Sequence, residues 1–314
     1  MRRTMHVDIG PRAKWGAALP IFGAARDLRT ADGAQTCSVV AEAHVEAEFD
    51  TERRLVSIQA APASQWLADL LGTRAGGGFR RRLEELVPAE QSGSLLRQVL
   101  DDLPAAVLIS GYAFMRLARR EGLDPGTLTP VGVLDRMVDL CSGWRAGGVA
   151  VASIGTGNGV PMQDCPPAPS EMPGAPGDDP WAWHTTGALG IDWMRRRRCL
   201  DVSSRPDGSF SVWAMFRDTD GEPDGTESVL HEYVVRASGA RGVIGHIEAE
   251  PRVLPFPECP AAADTVSALE GTPVAELAPT VPGVLAGIAS CTHLNDLLRA
   301  VGGLSDLLGP AAAG

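Results

Sequence analysis

The feature that most constrains this chain is that its second half repeats its first. "RRTMHVDI" (Arg2–Ile9) aligns with "RRRRCLDV" (Arg195–Val202), and Arg26-Asp27 aligns with Arg217-Asp218. "VVAEAHVEA" then matches "SVLHEYVVR", pairing Val40 with Val229, His44 with Tyr233 and Val45 with Val234. "VSIQAAP" matches "GHIEAEP", ending at Pro62 and Pro251, and "LLGT" (Leu70–Thr73) matches "LEGT" (Leu269–Thr272). Matches that keep their order over this length predict an α+β fold made of two copies of an antiparallel-sheet-plus-helices module. Each copy has about four strands followed by helices, and the two pack as an intrachain pseudo-dimer. The expected boundaries are 1–123 for the first module, 124–190 for a helix plus a Pro/Gly-rich linker, and 191–314 for the second module.

Local patterns fill in the first copy. "VVAEAHVEAEF" (Val39–Phe49) alternates, with Val39, Ala41, Ala43, Val45, Ala47 and Phe49 on one face, as a half-buried strand requires. "DTERR" is the turn and "LVSIQA" the returning strand. Helical patterns follow in "SQWLADLLG" and "GGGFRRRLEELVP", then in "GSLLRQVLDDLP" and "AAVLISGYAFMRLARREG" as two separate helices. A further helix with Leu134, Val138 and Cys141 on one face leads into Gly155–Pro180, where Pro, Gly and Ser dominate and no core of its own is expected.

With 314 residues and 44% hydrophobic content the chain can bury one large core or two modest ones. A net charge of -11, from 39 acidic and 28 basic side chains, argues against a broad nucleic-acid footprint. The run "MRRRR" (Met194–Arg198) reads as the start of a strand with solvated arginines. No secretory signal is visible and no stretch approaches the ~18 unbroken apolar residues of a membrane span, so a soluble cytoplasmic protein is expected, with no membrane partner. Six cysteines without a C-x-x-C spacing read as free thiols or ligands. The glycines before the Arg-rich helix start (Gly72–Glu85) lack the lysine of a phosphate-binding loop and follow no strand, so no nucleotide cofactor is expected. Their minority role is a clamp for an anionic substrate. "DGEPDG" (Asp220–Gly225) reads as a hairpin turn, and "PWAWH" (Pro180–His184) as linker packing against the second copy.

The polar residues that bear chemistry concentrate in the second copy. On the strand "VLHEYVV", alternation puts His231 and Tyr233 on one face and Glu232 on the other. "ECPAA" places Cys259 at a loop-to-helix junction, with Pro260 suited to the first helical position. "ASCTHLNDLLRAV" opens the last helix, with Leu294, Leu297, Leu298 and Val301 as its buried stripe and Ser290 or Thr292 as its cap. Cys291 stands at that helix N-terminus, where the dipole and free N–H groups favour thiolate. The first copy has no cysteine at either position. From the residues alone, packing, a metal site and a reactive pair all remain open for Cys291 and His293.

"SCTHLNDLL", "LHEY", "ECPAA" and "LLGTRAGGGFRRRLEEL" resemble the bacterial domain-of-unknown-function 2889 family, in its longer actinobacterial branch. That resemblance covers both copies outside the linker and implies no reaction. The second copy is also similar in layout to U-type iron–sulfur cluster scaffolds. Cys259 falls at their first cysteine junction, "EGTPVAEL" at their "KGKSLDE"-like turn, and Cys291 on their late cysteine, while His231 and Glu232 map onto their C-G-D element. Histidine replaces the first cysteine here, and the late histidine follows Cys291 by two residues instead of preceding it. The resemblance therefore implies a zinc or iron ion held by His231, Cys259 and Cys291 in place of a cluster. Glu232 or His293 would be the acid/base and Tyr233 an orienting donor, in an enzyme of hydrolase, lyase or isomerase type acting on a small molecule. Two alternatives stand beside it: a non-enzymatic carrier of metal, sulfur or cluster, and a pseudo-symmetric binding module with structural cysteines.

Overall fold

The computed structural model describes residues 1–10, 18–30, 37–129, 132–161, 163–169, 181–305 and 308. The first half supplies β1 (Arg2–Ile9), β2 (Leu19–Thr30), β3 (Cys37–Phe49) and β4 (Leu55–Ala61). The second supplies β5 (Met194–Ser204), β6 (Ser209–Gly221), β7 (Glu227–Ala240) and β8 (Val243–Val253). All eight form one sheet in the order β4-β3-β2-β1-β5-β6-β7-β8. β1 pairs antiparallel with β2 on one side and β5 on the other, so that Arg2 lies opposite both Leu28 and Asp201. With the helices below, this is an α+β fold built on an antiparallel sheet.

Helices α1 (Gly77–Leu86) and α2 (Leu95–Arg120) follow the first four strands. The short α3 (Pro125–Leu128), α4 (Val133–Met137) and α5 (Val149–Gly155) come next. A 3-10 helix, Cys259–Leu269, leads to α6 (Leu277–Val284) and α7 (Thr292–Gly302) after the last four strands. The chain divides into two compact units. The first is built round β1–β4, α1 and α2 as far as Ala113. The second is built round residues 114–166, β8 and the C-terminal helices, and β5, β6 and β7 contribute residues to both.

Several expectations change on contact with the fold. The alternation of β3 buries Ala43, Val45, Ala47 and Phe49, but Val39 and Ala41 are exposed. A bulge at Val40, opposite Asp27/Leu28, interrupts the ladder there, and Val40 is exposed as well. The two helices expected on either side of Pro104 are one helix, α2. Leu100, Leu103, Ala106 and Val107 are buried on both sides of the proline, and this packing offsets the ~3 kcal/mol that an interior proline costs. Cys141 is not helical: α4 ends at Met137, and Cys141 precedes a short 3-10 turn, Ser142–Trp144.

The largest correction concerns the arginine run. Arg195, Arg196 and Arg198 are buried to 3% exposure or less, because β5 lies inside the sheet between β1 and β6. Each arginine meets a carboxylate: Arg195 Nη2 with Asp8 at 2.6 Å, Arg196 with Asp218 at 3.3 Å, Arg197 with Glu227 at 2.6 Å and Arg198 with Asp102 at 2.7 Å. Charges this deep persist only when paired. At the glycine-led helix start Arg80 pairs with Asp101 at 3.4 Å, and the exposed Arg82 pairs with Glu85 at 3.1 Å.

Trp181–His184 also packs elsewhere than expected, on β1 and β2. The Trp181 carbonyl accepts from Arg26, the Ala182 carbonyl accepts from Arg2, and His184 bonds His6 at 2.6 Å and Thr4 at 2.8 Å. Asp220–Gly225 does form a hairpin turn, closed by Glu222 N to Thr226 O at 2.9 Å. Residues 162 and 170–180 of the expected linker lie outside the described residues. No helix among the described residues is long and apolar enough to cross a membrane.

Candidate functional site

The site is built where β7, the Cys259–Leu269 helix and the N-terminus of α7 meet the 3-10 turn at Ser142–Trp144. β7 carries His231 and Tyr233 on one face, at 2% and 0% exposure. α7 packs its stripe of Leu294, Leu297, Leu298 and Val301 at 0% exposure, as its spacing predicts, and this fixes how its first turn faces the sheet. Cys291 is the N-cap, in extended backbone (φ −132, ψ 125), and His293 follows on the first turn. That non-helical entry brings Cys291 Sγ to 3.7 Å from His293 Nδ1.

His293 stacks on His231 with ring centroids 4.2 Å apart and planes at 20°, and against Phe216 at 6.2 Å. His231 and His293 each offer a ring nitrogen able to hold a metal ion, and these nitrogens lie within 4.8 Å of each other.

The cysteines form a separate layer. Tyr233 donates its hydroxyl to the Cys259 carbonyl at 3.3 Å. The Cys259 carbonyl also accepts from Ser142 Oγ at 3.3 Å, and Ser142 N donates to Ser290 O at 2.8 Å. The 141–144 turn is thereby pinned between the other two cysteine segments. Gly143 permits this approach, because a Cβ there would sit 2.6 Å from Cys259 Sγ. Cys259 packs with Ala150 and Phe256, beside Trp144, Val160 and Leu254.

Burial pushes the thiols up: Cys259 to about 12 and Cys291 to about 11, with Cys141 raised as well. Backbone N–H groups of Leu294 and His293 pull Cys291 the other way, as a helix N-terminus should, but desolvation is the larger effect. The thiolate expected at Cys291 from its position is therefore corrected to a protonated thiol. Burial likewise raises Tyr233, next to Cys291 and Cys259, far above the usual phenol range.

Of the residues singled out in the sequence, His231, Tyr233, Cys259, Cys291 and His293 are drawn into one region. Glu232 is not with them. It leaves the opposite face of β7, is buried, and pairs with Arg252 of β8 at 3.5 Å. One member was missed: Cys141 was assigned to a helix face.

Residues 194–305 match the family model described as Protein of unknown function (DUF2889). The match begins with β5 and runs through α7, so it takes in Asp218, His231, Tyr233, Cys259, Cys291 and His293 and leaves out Cys141. No curated protein and no solved structure matches the chain.

Proposed function

We propose that the protein is a metal-dependent enzyme acting on a small organic molecule, with zinc or non-haem iron held by His231 and His293. The observation that carries this is two imidazoles, one buried and one half-buried, with ring centroids 4.2 Å apart and ring nitrogens within 4.8 Å of each other. Imidazole ligands suit either metal and leave coordination positions for water or substrate. A metal bound there would polarise a substrate oxygen or activate a water.

This ligand set keeps His231 from the sequence-based expectation and exchanges Cys259 and Cys291 for His293. The exchange is supported by the apolar packing of Cys259 and the high thiol pKa values. Tyr233 keeps its place beside the site, its hydroxyl held by the Cys259 carbonyl. The proposal extends to the architecture. The two halves are copies of one module packed as an intrachain pseudo-dimer, a reading supported by the mirrored strand order with β1 against β5 at its centre. On that reading the first module is a scaffold. A carrier of soft metal or sulfur is the second reading, favoured by the gathering of Cys141, Cys259 and Cys291 round Tyr233.

Elemental analysis of untagged protein purified anaerobically tests both, beside a His231→Ala, His293→Ala double variant and a Cys259→Ser, Cys291→Ser double variant. Near-stoichiometric zinc or iron is expected in the wild type and the thiol variant, and little in the histidine variant. Metal lost only with the cysteines would favour the carrier. A folded, metal-free wild type would overturn both.

A further inference from the structure

The sheet ends on β4 at one side and β8 at the other, and both edge strands begin with the same contact. Leu55 N donates to Thr73 O at 3.0 Å, and Leu55 O accepts from Gly72 N at 2.7 Å. Ile244 N donates to Thr272 O at 3.0 Å, and Ile244 O accepts from Gly271 N at 2.8 Å. A bulge follows at the next residue of each strand, at Val56 and at Gly245. Ile58 and Ile247 are therefore corresponding positions. Glu270 Oε1 accepts from Ile247 N at 3.3 Å, so the backbone there points out of the sheet, and alternation makes Ile58 and Ala60 the outward-facing residues of β4. Each edge lies within one compact unit, β4 in the first and β8 in the second.

What meets the two edges differs. On β8 the Glu270 carboxylate takes the Ile247 N–H and also bonds His246 at 3.1 Å. Charged side chains line the rest of the strand, where Arg236 pairs with Glu248 and Glu250, and Arg252 with Glu250. Charges placed in this way keep a strand edge from pairing with another chain. On β4 the position of Glu270 is taken by Leu71, 48% exposed, and the strand LVSIQAA carries no charged side chain. Among the described residues nothing bonds the outward N–H and C=O groups of Ile58 and Ala60.

We propose that β4 is an interface for a second copy of this chain, the two β4 strands pairing antiparallel about a two-fold axis at Gln59. That register sets Ile58 of each copy against Ala60 of the other and satisfies the outward N–H and C=O groups of both residues in both copies. Exposed Gln59 then faces its own copy across the axis, and half-buried Ile58 and Ala60 gain cover on the opposite face of the extended sheet. The strand offers no charge to select a different partner, and two copies brought together set no like charges directly opposite one another. The pairing is short, so the dimer is weak and concentration-dependent.

Sedimentation velocity of the full chain between about 1 and 100 µM tests this, and a reversible dimer is expected. Gln59→Lys and Gln59→Glu each set like charges across the axis, and each is expected to raise the dimer dissociation constant roughly tenfold. An equimolar mixture of the two variants is expected to recover association. Ala60→Pro removes an outward N–H, a change that an edge strand tolerates, and is expected to weaken the dimer as well. Gln59 is exposed, so misfolding of the proline variant leaves the charge variants informative. Glu248→Lys on β8 is expected to change nothing. Amide hydrogen exchange adds a second readout, with protection of Ile58 and Ala60 rising as the dimer forms. A monomer at every concentration, which would leave the edge to an extended segment of another protein, would overturn the proposal. So would a dimer indifferent to all three β4 variants, or one that forms without protecting Ile58 and Ala60.

Discussion

Single residues in this protein are governed by burial more than by local position. At Cys291 the helix terminus and desolvation act in opposite directions, and a sulfur 2% exposed follows desolvation. The His6–His184 pair on the first unit behaves in the same way. Its rings are hydrogen-bonded at 2.6 Å, and burial, aided by nearby Arg195, lowers each histidine to about 3. In the unfolded chain both would protonate near pH 6.5. Between those values the unfolded state binds more protons, so stability is complete above pH 6.5 and is lost progressively as pH falls toward 3. Between pH 7.5 and 5 each histidine should account for up to about 2 kcal/mol of that loss. Urea unfolding of the wild type and of a His6→Gln, His184→Gln double variant at the two pH values measures it. The variant is expected to lose distinctly less than the wild type; parallel losses would show that other groups, such as carboxylates, carry the acid sensitivity.

At the scale of elements, the 3-10 turn Ser142–Trp144 ties the Cys259 and Cys291 segments together from outside residues 194–305. Its close approach to Cys259 depends on the missing side chain of Gly143. Gly143→Ala should cost roughly 1–3 kcal/mol, since the new methyl meets Cys259 Sγ at 2.6 Å and Phe256 Cδ2 at 3.1 Å. Adding Cys259→Ala removes the obstructing sulfur, so the double variant should lose less than the sum of the two single losses. Chemical denaturation of the four proteins reads the coupling. Strict additivity would mean that the turn accommodates the methyl by moving away from Cys259.

At the scale of the whole molecule, the matched family region is not a self-sufficient piece. Residues 194–305 contain the proposed ligands, but their β5 pairs with β1, and Arg195 has its carboxylate partner in Asp8. Their α7 entry is pinned by Ser142 N on Ser290 O at 2.8 Å. Expressed alone, the fragment would expose an open strand edge and leave Arg195 and Arg198 without Asp8 and Asp102. It is expected to aggregate or remain unfolded by circular dichroism and size-exclusion chromatography, while the full chain folds cooperatively. A monomeric fragment with a sharp unfolding transition would refute this.

Much of the architecture is readable without coordinates, because it rests on short-range periodicity. The strand alternation of Ala43–Phe49, the α7 stripe, the Asp220–Gly225 hairpin and the junction at Cys259 all follow from spacing two, spacing 3.6 or turn chemistry. Five of the six residues first singled out, all but Glu232, also fall in one region, since their segments were recognised as element starts and strand faces. What the sequence leaves open is every question settled by partners distant in the chain. Whether Arg195–Arg198 face water or carboxylates depends on Asp8, Asp102, Asp218 and Glu227 arriving from other strands and α2. Pro104 stays helical because the apolar surface on either side of it is covered. The state of Cys291 depends on how completely the fold excludes water from a helix N-terminus. Spacing encodes which way a side chain points; only the tertiary structure decides what it meets there, and in a low-dielectric interior that meeting sets its charge.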